Sequence, residues 1–583
     1  MGRARIALGF VLALALGLLV IVLTRLPQFL GGRMMLDGDE SVVGVMAMHA
    51  LQGHGLPLFF YGQDYGFAPL EVGTAALFFL CFGVSVACFK VAVLTLWSAG
   101  WLCWVAAVRR LAGVRTALLA GLLLATMPAW GVIGMKGWST CVTSFVALGA
   151  ALLAVSRMAE PVRRRPVSAA VLGLSAAILW VTHVHAVLTL APFVALYLVP
   201  RRAGLPQGAA LPQGAALPRR AWTDLAVAAA TGLATVAAIR LAPVPEGVIR
   251  SVAPASILRR SLSDLPSVAE GLQRLAERTS VLFTGAYYFS RPMDVGPATA
   301  AAGVVWPIAL AAALAAALLA TPLRRSRLAW ACALASLPSL AIAVLVHPET
   351  FQYRYLLPLS CVAAVLVGAC AAWLLDAGRA RRALGVCVMA GLVGLGVLSL
   401  AEFRRSSWAS MIGPAWLNER QALDLLVRKL EGAGIHDVFT RSEMLRWKLA
   451  FASGERVIAS TPSPEDRYPE HNRAFLSALR DGEPVALVGE RYWMEELLAA
   501  EPPPGFPRPQ VTAIGPWLVA TYALDPATRR ALLSPPGSVP PVASPPPVSA
   551  PPVNEPRVNE PSVSAPPVSA PPVSAPPAEA PPR

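Results

Sequence analysis

Apolar residues in this chain gather into long unbroken runs separated by short polar segments. Helices that cross a membrane need roughly 20 such residues, and about eleven runs approach or reach that length. They lie at roughly 5–25, 86–108, 114–132, 140–157, 167–182, 184–199, 222–242, 301–321, 328–346, 355–376 and 383–401. The fifth and sixth are short enough to read equally as a hairpin. Beyond about residue 402 the pattern changes to amphipathic helices alternating with short β runs, at 436–440, 456–459, 484–488 and 517–521. After about residue 532 the chain becomes repeats of Pro-Pro-Val-Ser-Ala, a composition that builds no core and favours extended segments. The pattern therefore predicts a polytopic α-helical membrane region over 1–401, an α/β domain over 402–531 and a disordered Pro-rich tail over 532–583.

Composition agrees with the pattern. The 583 residues are 56% hydrophobic and 14% charged, with a mean hydropathy of +0.57, far from an ordinary soluble domain. The net charge of +15 does not point to nucleic acid, because the arginines sit in short loops between apolar runs. With the N-terminus inside, every second loop is basic: Arg109-Arg110, Arg163 to Arg165, Arg201-Arg202 with Arg219-Arg220, Arg324-Arg325 with Arg327, and Arg379 to Arg382. Eleven crossings then leave the C-terminus outside, together with the loops 31–85, 243–300 and 347–355. The first apolar run lacks a convincing cleavage site before Arg25 and reads as a retained helix. All eight cysteines fall in apolar segments, so they read as packing residues and imply no disulfide framework. A duplicated Leu-Pro-Gln-Gly-Ala-Ala at 205–216 reads as low-complexity loop on the cytoplasmic side.

Chemistry concentrates in the first outer loop. It begins Leu36-Asp37-Gly38-Asp39-Glu40-Ser41, continues through an amphipathic helix to Gln52-Gly53-His54-Gly55-Leu56-Pro57, and ends Tyr61-Gly62-Gln63-Asp64-Tyr65-Gly66-Phe67-Ala68-Pro69-Leu70-Glu71. Carboxylates at a bilayer edge lose hydration, so a cluster there marks a candidate site. Acids after the first helix, an aromatic Tyr-Gly-Gln turn, a Pro-Leu-Glu helix start and the late motif Tyr353-Arg354-Tyr355-Leu356-Leu357-Pro358 together resemble the GT-C class of membrane glycosyltransferases, related to the protein mannosyltransferases and aminoarabinose transferases. The resemblance spans about residues 1–401. It implies a polyprenyl-phosphate sugar donor, an extracytoplasmic glycolipid, protein or polymer as acceptor, inverting single displacement, and a bacterial inner-membrane location.

A lipid phosphate leaves as an anion, so one carboxylate suffices to take the proton of the acceptor hydroxyl. The resemblance puts Asp39 in that role with Glu40 beside it. Asp37 is the rival, sharing a face with Asp39 in an extended segment but not in a helix. The plain alternative is that all three are solvated acids at a helix end. Arg354 suits the departing phosphate, flanked by Tyr353 and Tyr355, although the same three residues also fit an interfacial anchor. Some relatives carry a lysine immediately before a Pro-Pro-Leu in this loop; here Phe67-Ala68-Pro69-Leu70 stands instead, and Lys90 is the substitute, or an ordinary flank. Tyr61, Gln63, Asp64 and Tyr65 read as sugar contacts or as a turn at the interface, and Glu71 as structural. His183 and His185 read as lining of the acceptor cavity; with His347 and Glu349 they offer donors suited to a metal. No residue is assigned to a metal, and a divalent cation stays open. A lipid-linked glycan ligase or polymerase, a polyprenyl-lipid flippase or transporter, and a non-enzymatic scaffold are the competing readings.

Overall fold

The computed structural model describes residues 2–30, 36–63, 66–138, 140–159, 165–198, 219–242, 254–288, 291–293, 295–402, 419–461, 468–499 and 507–533. Asp64, Tyr65, the duplicated segment at 205–216 and the Pro-rich tail after 533 lie outside them. Met1–Arg530 form one compact unit and Ala531–Arg583 a second, nearly all of which is outside the described residues.

Each of the eleven apolar runs is helical. Eight described helices are long and apolar enough to cross a membrane, and a bent pair brings the number to nine. The chain is a polytopic membrane protein. The helices Arg165–Thr182 and Val184–Leu198 are shorter, joined through His183 alone.

The run at 114–132 does not form the single helix that its hydropathy predicts. Val114–Thr126 stops, and a bend of 60° leads into Pro128–Met135. The cause is Pro128, which has no N–H to donate and forces Met127 into extended geometry (φ −64°, ψ 124°). The break strands backbone carbonyls inside the protein. Arg25, fully buried near the end of the helix Gly2–Leu30, donates to Ala125 O at 2.7 Å and to Trp130 O at 3.3 Å. Its guanidinium also lies over the Trp97 ring, 5.1 Å from the centroid.

Two helices occupy the segment between the first two apolar runs, Gly38–Leu51 and Pro69–Phe82. The first is not the amphipathic helix expected of a surface loop. It is buried from Glu40 to His49 around its whole circumference. The missing cover comes from the far end of the sequence, because the helix Glu443–Ser453 packs across it. A Cβ on Gly44 would stand 2.6 Å from the Phe451 ring, and one on Gly38 would stand 2.3 Å from Met444 Sδ. Phe451 also meets Phe79 and Phe89, with ring centroids 6.0 and 5.8 Å away.

A short hairpin pairs β1 (Tyr287–Tyr288) with β2 (Arg291–Pro292). The C-terminal region holds a five-stranded mixed sheet of β3 (Asp437–Phe439), β4 (Ile458–Ser460), β5 (Val485–Glu490), β6 (Gln510–Ile514) and β7 (Trp517–Thr521), ordered β4-β3-β5-β7-β6. β3 runs parallel to β4 and β5, whereas β7 is antiparallel to both β5 and β6. β6 has no counterpart among the strand runs read from the sequence. Its residues from Gln510 to Ala513 are exposed at the sheet edge, so no buried face imposes alternation. It is fixed instead by a two-residue turn to β7 in which Gly515 takes φ +57°.

The close contact at Gly44 sets the first prediction. Gly44→Ala should loosen the packing of Glu443–Ser453 by about 1–3 kcal/mol, the usual range for overpacking. Hydrogen exchange of residues 443–453 should accelerate while exchange in Tyr353–Leu375 stays unchanged.

Candidate active site

The motif Asp37-Gly38-Asp39-Glu40 folds as a helix start. Asp37 is the N-cap of Gly38–Leu51, where Asp37 Oδ1 accepts the Glu40 N–H at 2.8 Å and Glu40 Oε2 accepts the Asp37 N–H at 3.2 Å. This reciprocal capping box satisfies two backbone donors that the helix leaves open. It also settles the direction of the three acids. Asp37 and Glu40 turn inward and are buried, while Asp39 remains half-exposed.

Each buried acid has its own lysine. Lys136 Nζ donates to Asp37 Oδ2 at 2.5 Å, and the Trp138 Nε1–H donates to the same oxygen at 3.0 Å. Lys90 donates to Glu40 Oε1. All four side chains are nearly or fully inaccessible. Burial alone would push the Asp37 carboxyl up, but the Lys136 charge and the hydrogen bonds outweigh it and hold the group below the usual carboxylate range. For Glu40 burial prevails over Lys90 and the carboxyl is pushed up, with Asp37 adding repulsion.

Lys90 was read from sequence as a phosphate contact or an exposed flank. It is buried and committed to Glu40, because a lysine this deep needs a counter-charge. Lys136 escaped the sequence reading altogether. The available signal was its position, a cation in a short loop between two apolar runs, where a charge must reach water or meet a partner. Glu71, read as structural, is fully buried and accepts from Thr143 N at 3.2 Å and Thr143 Oγ1 at 2.9 Å, in the first turn of Cys141–Met158.

A second group gathers around Arg354. Tyr353 to Leu356 form a single 3₁₀ turn leading into the helix Leu357–Leu375. The Tyr355 ring lies 6.2 Å from His183 and 5.7 Å from His185, and Tyr353 packs against Tyr287 at 5.3 Å. Ser144 Oγ is 2.9 Å from His183 Nδ1. Tyr287 Oη and His185 Nε2 are buried polar atoms without a hydrogen-bond partner. His347 and Glu349 do not join the histidines; they pair with Asp264 and Arg260. Among the described residues no group of three or more His, Cys, Asp or Glu is arranged to hold a metal.

Tyr61 belongs to a third group. Its ring stacks on Tyr468, 5.2 Å away at 20°, so that face is already covered by the C-terminal region instead of standing open to a sugar. Tyr61 Oη is 2.8 Å from His49 Nδ1, and His49 Nε2 is 2.9 Å from the Glu455 carboxylate, which also meets His471 Nε2 at 3.1 Å. Glu455 takes φ +60°, a conformation that L residues other than glycine rarely hold. Gln63 is half-buried beyond this cluster.

No protein-family model and no curated protein matches the sequence. Solved structures do match. ArnT from Cupriavidus metallidurans bound to undecaprenyl phosphate aligns over 88% of this chain and 97% of its own, at 13% identity and a TM-score of 0.51. Its apo form aligns at 12% identity with the same TM-score, over 89% and 98% of the two chains. The chain has the GT-C fold. The oligosaccharyltransferase of Archaeoglobus fulgidus aligns more loosely, over 82% of this chain and 69% of its own, at 12% identity and a TM-score of 0.46. In this GT-C fold the acidic helix start, the Arg354 turn and the Glu455 cluster all come from segments between or after the apolar helices.

Two predictions follow from the charges. Lys136→Met leaves Asp37 buried without its counter-ion and should cost about 3–5 kcal/mol; adding Asp37→Asn should restore much of the loss, as read by thermal unfolding in detergent. The second concerns the Glu455 cluster. Burial would raise the Glu455 carboxyl, but hydrogen bonds from His471 and His49 hold it down at about 2, while burial holds His471 below its ordinary 6.5. Both groups favour the docked state at high pH. Its stability should fall as pH drops below 6.5, where a released His471 takes up a proton, and further from 4.5 towards 2 as Glu455 protonates. Intrinsic-rate-corrected exchange of residues 443–453 should rise on acidification, and Glu455→Gln should remove the lower step.

Proposed function

We propose that this chain is a membrane glycosyltransferase that takes a sugar from a polyprenyl-phosphate donor and passes it, with inversion, to an acceptor outside the cytoplasm. Support comes from a fold shared over nearly the whole length of a protein captured with undecaprenyl phosphate. The observation that carries the reading further is the unequal treatment of the three loop acids. Asp37 and Glu40 are buried against Lys136 and Lys90, whereas Asp39, on the first turn of the same helix, is only partly buried.

Asp39 is accordingly the base. Its carboxylate aligns the acceptor hydroxyl and takes its proton as the oxygen attacks the anomeric carbon. The bond between that carbon and the phosphate oxygen breaks, and its electron pair leaves on the lipid phosphate. No acid is required for an anionic leaving group. Holding acceptor and anomeric carbon together supplies most of the rate enhancement. Arg354 neutralises the departing phosphate with its paired N–H donors, with Tyr353 and Tyr355 beside it. His183 and His185 line the acceptor side of that turn. Asp37 and Glu40, with their lysines, hold the helix start that presents Asp39.

Eleven crossings with the N-terminus inside and the C-terminus outside accommodate every helical run and the basic loops. This arrangement puts Asp39, Arg354 and the α/β region of 402–531 on the outer side of a bacterial inner membrane. There the α/β region covers the loop and selects the acceptor, and the Pro-rich tail serves as a spacer.

The test uses purified protein, a panel of radiolabelled polyprenyl-phosphate monosaccharides and an extract of outer-surface acceptors. Wild type should transfer label, and Asp39→Asn should lose about 10²–10⁴-fold in rate with unaltered thermal unfolding. Equal transfer by Asp39→Asn would remove Asp39 from the role. Arg354→Gln should slow turnover more than it weakens acceptor binding.

A further inference from the structure

The helix Val86–Ala112 begins near Lys90 and ends some 22 residues later, about 33 Å away along its axis. At that far end three segments that are distant in sequence, 111–116, 322–328 and 369–376, come together around an open groove of about 660 Å³. Leu323, Leu328 and Trp373 form its apolar floor, and Ser326, Arg327 and Asp376 its polar edge.

One cation, Arg327, and one carboxylate, Asp376, line the groove itself. The stretches beside it, 109–110, 324–325 and 379–382, add arginines and no acid. Asp376 is already paired with Arg115. Arg381 lies 5.8 Å from the Trp373 ring. The helix Arg327–Leu345 starts here with Ser326 as its N-cap, so its positive dipole end adds to the arginines. An apolar floor between helices that includes a tryptophan, with arginines along the edge, suits a lipid headgroup.

We propose that this groove binds an anionic phospholipid of the cytoplasmic leaflet. Its phosphodiester sits at Arg327 and the Ser326 helix start, its glycerol lies over Trp373, and its acyl chains run down the Leu323 and Leu328 side. The leaflet rests on the topology proposed above, whereas the headgroup chemistry rests on the groove alone. The site lies at the membrane face away from the loop acids and is separate from the sugar-transfer machinery.

The test is native mass spectrometry of the protein released from nanodiscs of mixed phosphatidylglycerol and phosphatidylcholine. Wild type should retain phosphatidylglycerol in preference to phosphatidylcholine. Arg327→Ala should lower that retention about fivefold, the expected effect of one arginine near a headgroup. Ala112→Trp, which fills the groove from an exposed position, should lower retention of both lipids. Equal retention of the two lipids, or retention unchanged by both variants in protein with wild-type helical content, would overturn the site. Maleimide labelling of Gly378→Cys, with Cys81 and Cys387 replaced, fixes the leaflet separately. Labelling from outside the cell would overturn the cytoplasmic assignment and the proposed topology while the anion preference stood.

Discussion

A charge removed from water must meet an opposite charge nearby, and the loop between the first two apolar helices is arranged around that requirement. Asp37 and Glu40 are drawn inside by the capping box that starts the loop helix, and they can stay there only because Lys136 and Lys90 follow them. The two lysines belong to different helical segments, so the pairs tie the first outer loop to the helix Val86–Ala112 and to the segment after the break at Pro128. One turn of helix thereby acquires a fixed orientation relative to two others. Asp39 gains its half-exposed position from its neighbours' confinement.

The same requirement operates on the backbone. A chain broken at membrane depth exposes carbonyls that lipid cannot satisfy. Here Arg25 supplies the donors, reaching Ala125 and Trp130 across the bend. Arg278 does the same for Ala343 O and Val346 O, at the end of Arg327–Leu345. Glu402 takes the free N–H groups of Ala298 and Thr299 at the opposite kind of terminus. Charged side chains in the apolar region thus complete helix ends.

Hydropathy revealed the helices because long apolar runs have one stable outcome in a bilayer, and four of the five C-terminal strands were visible because they carry compact β-branched and aromatic runs. The candidate acids were also legible, as a local motif beside a helix end. Pairings between distant segments were not. Nothing in Leu36–Ser41 announces Lys136, and nothing in Gly38–Leu51 announces that Phe451 will lie against Gly44. The loop helix looked amphipathic for want of its cover, and Tyr61 looked available for a sugar for want of Tyr468. β6 gave no clue, because an exposed edge strand after a proline-rich stretch has neither alternation nor burial.

The helices Arg165–Thr182 and Val184–Leu198 are linked by His183 alone, and the second carries Pro192 in its interior. That helix starts next to His183, beside Tyr355 and the Arg354 turn. A one-residue link leaves little slack, so any movement of either helix shifts His183 against Tyr355. The buried His185 Nε2 and Tyr287 Oη, which have no hydrogen-bond partner, lie in the same group and share in that movement.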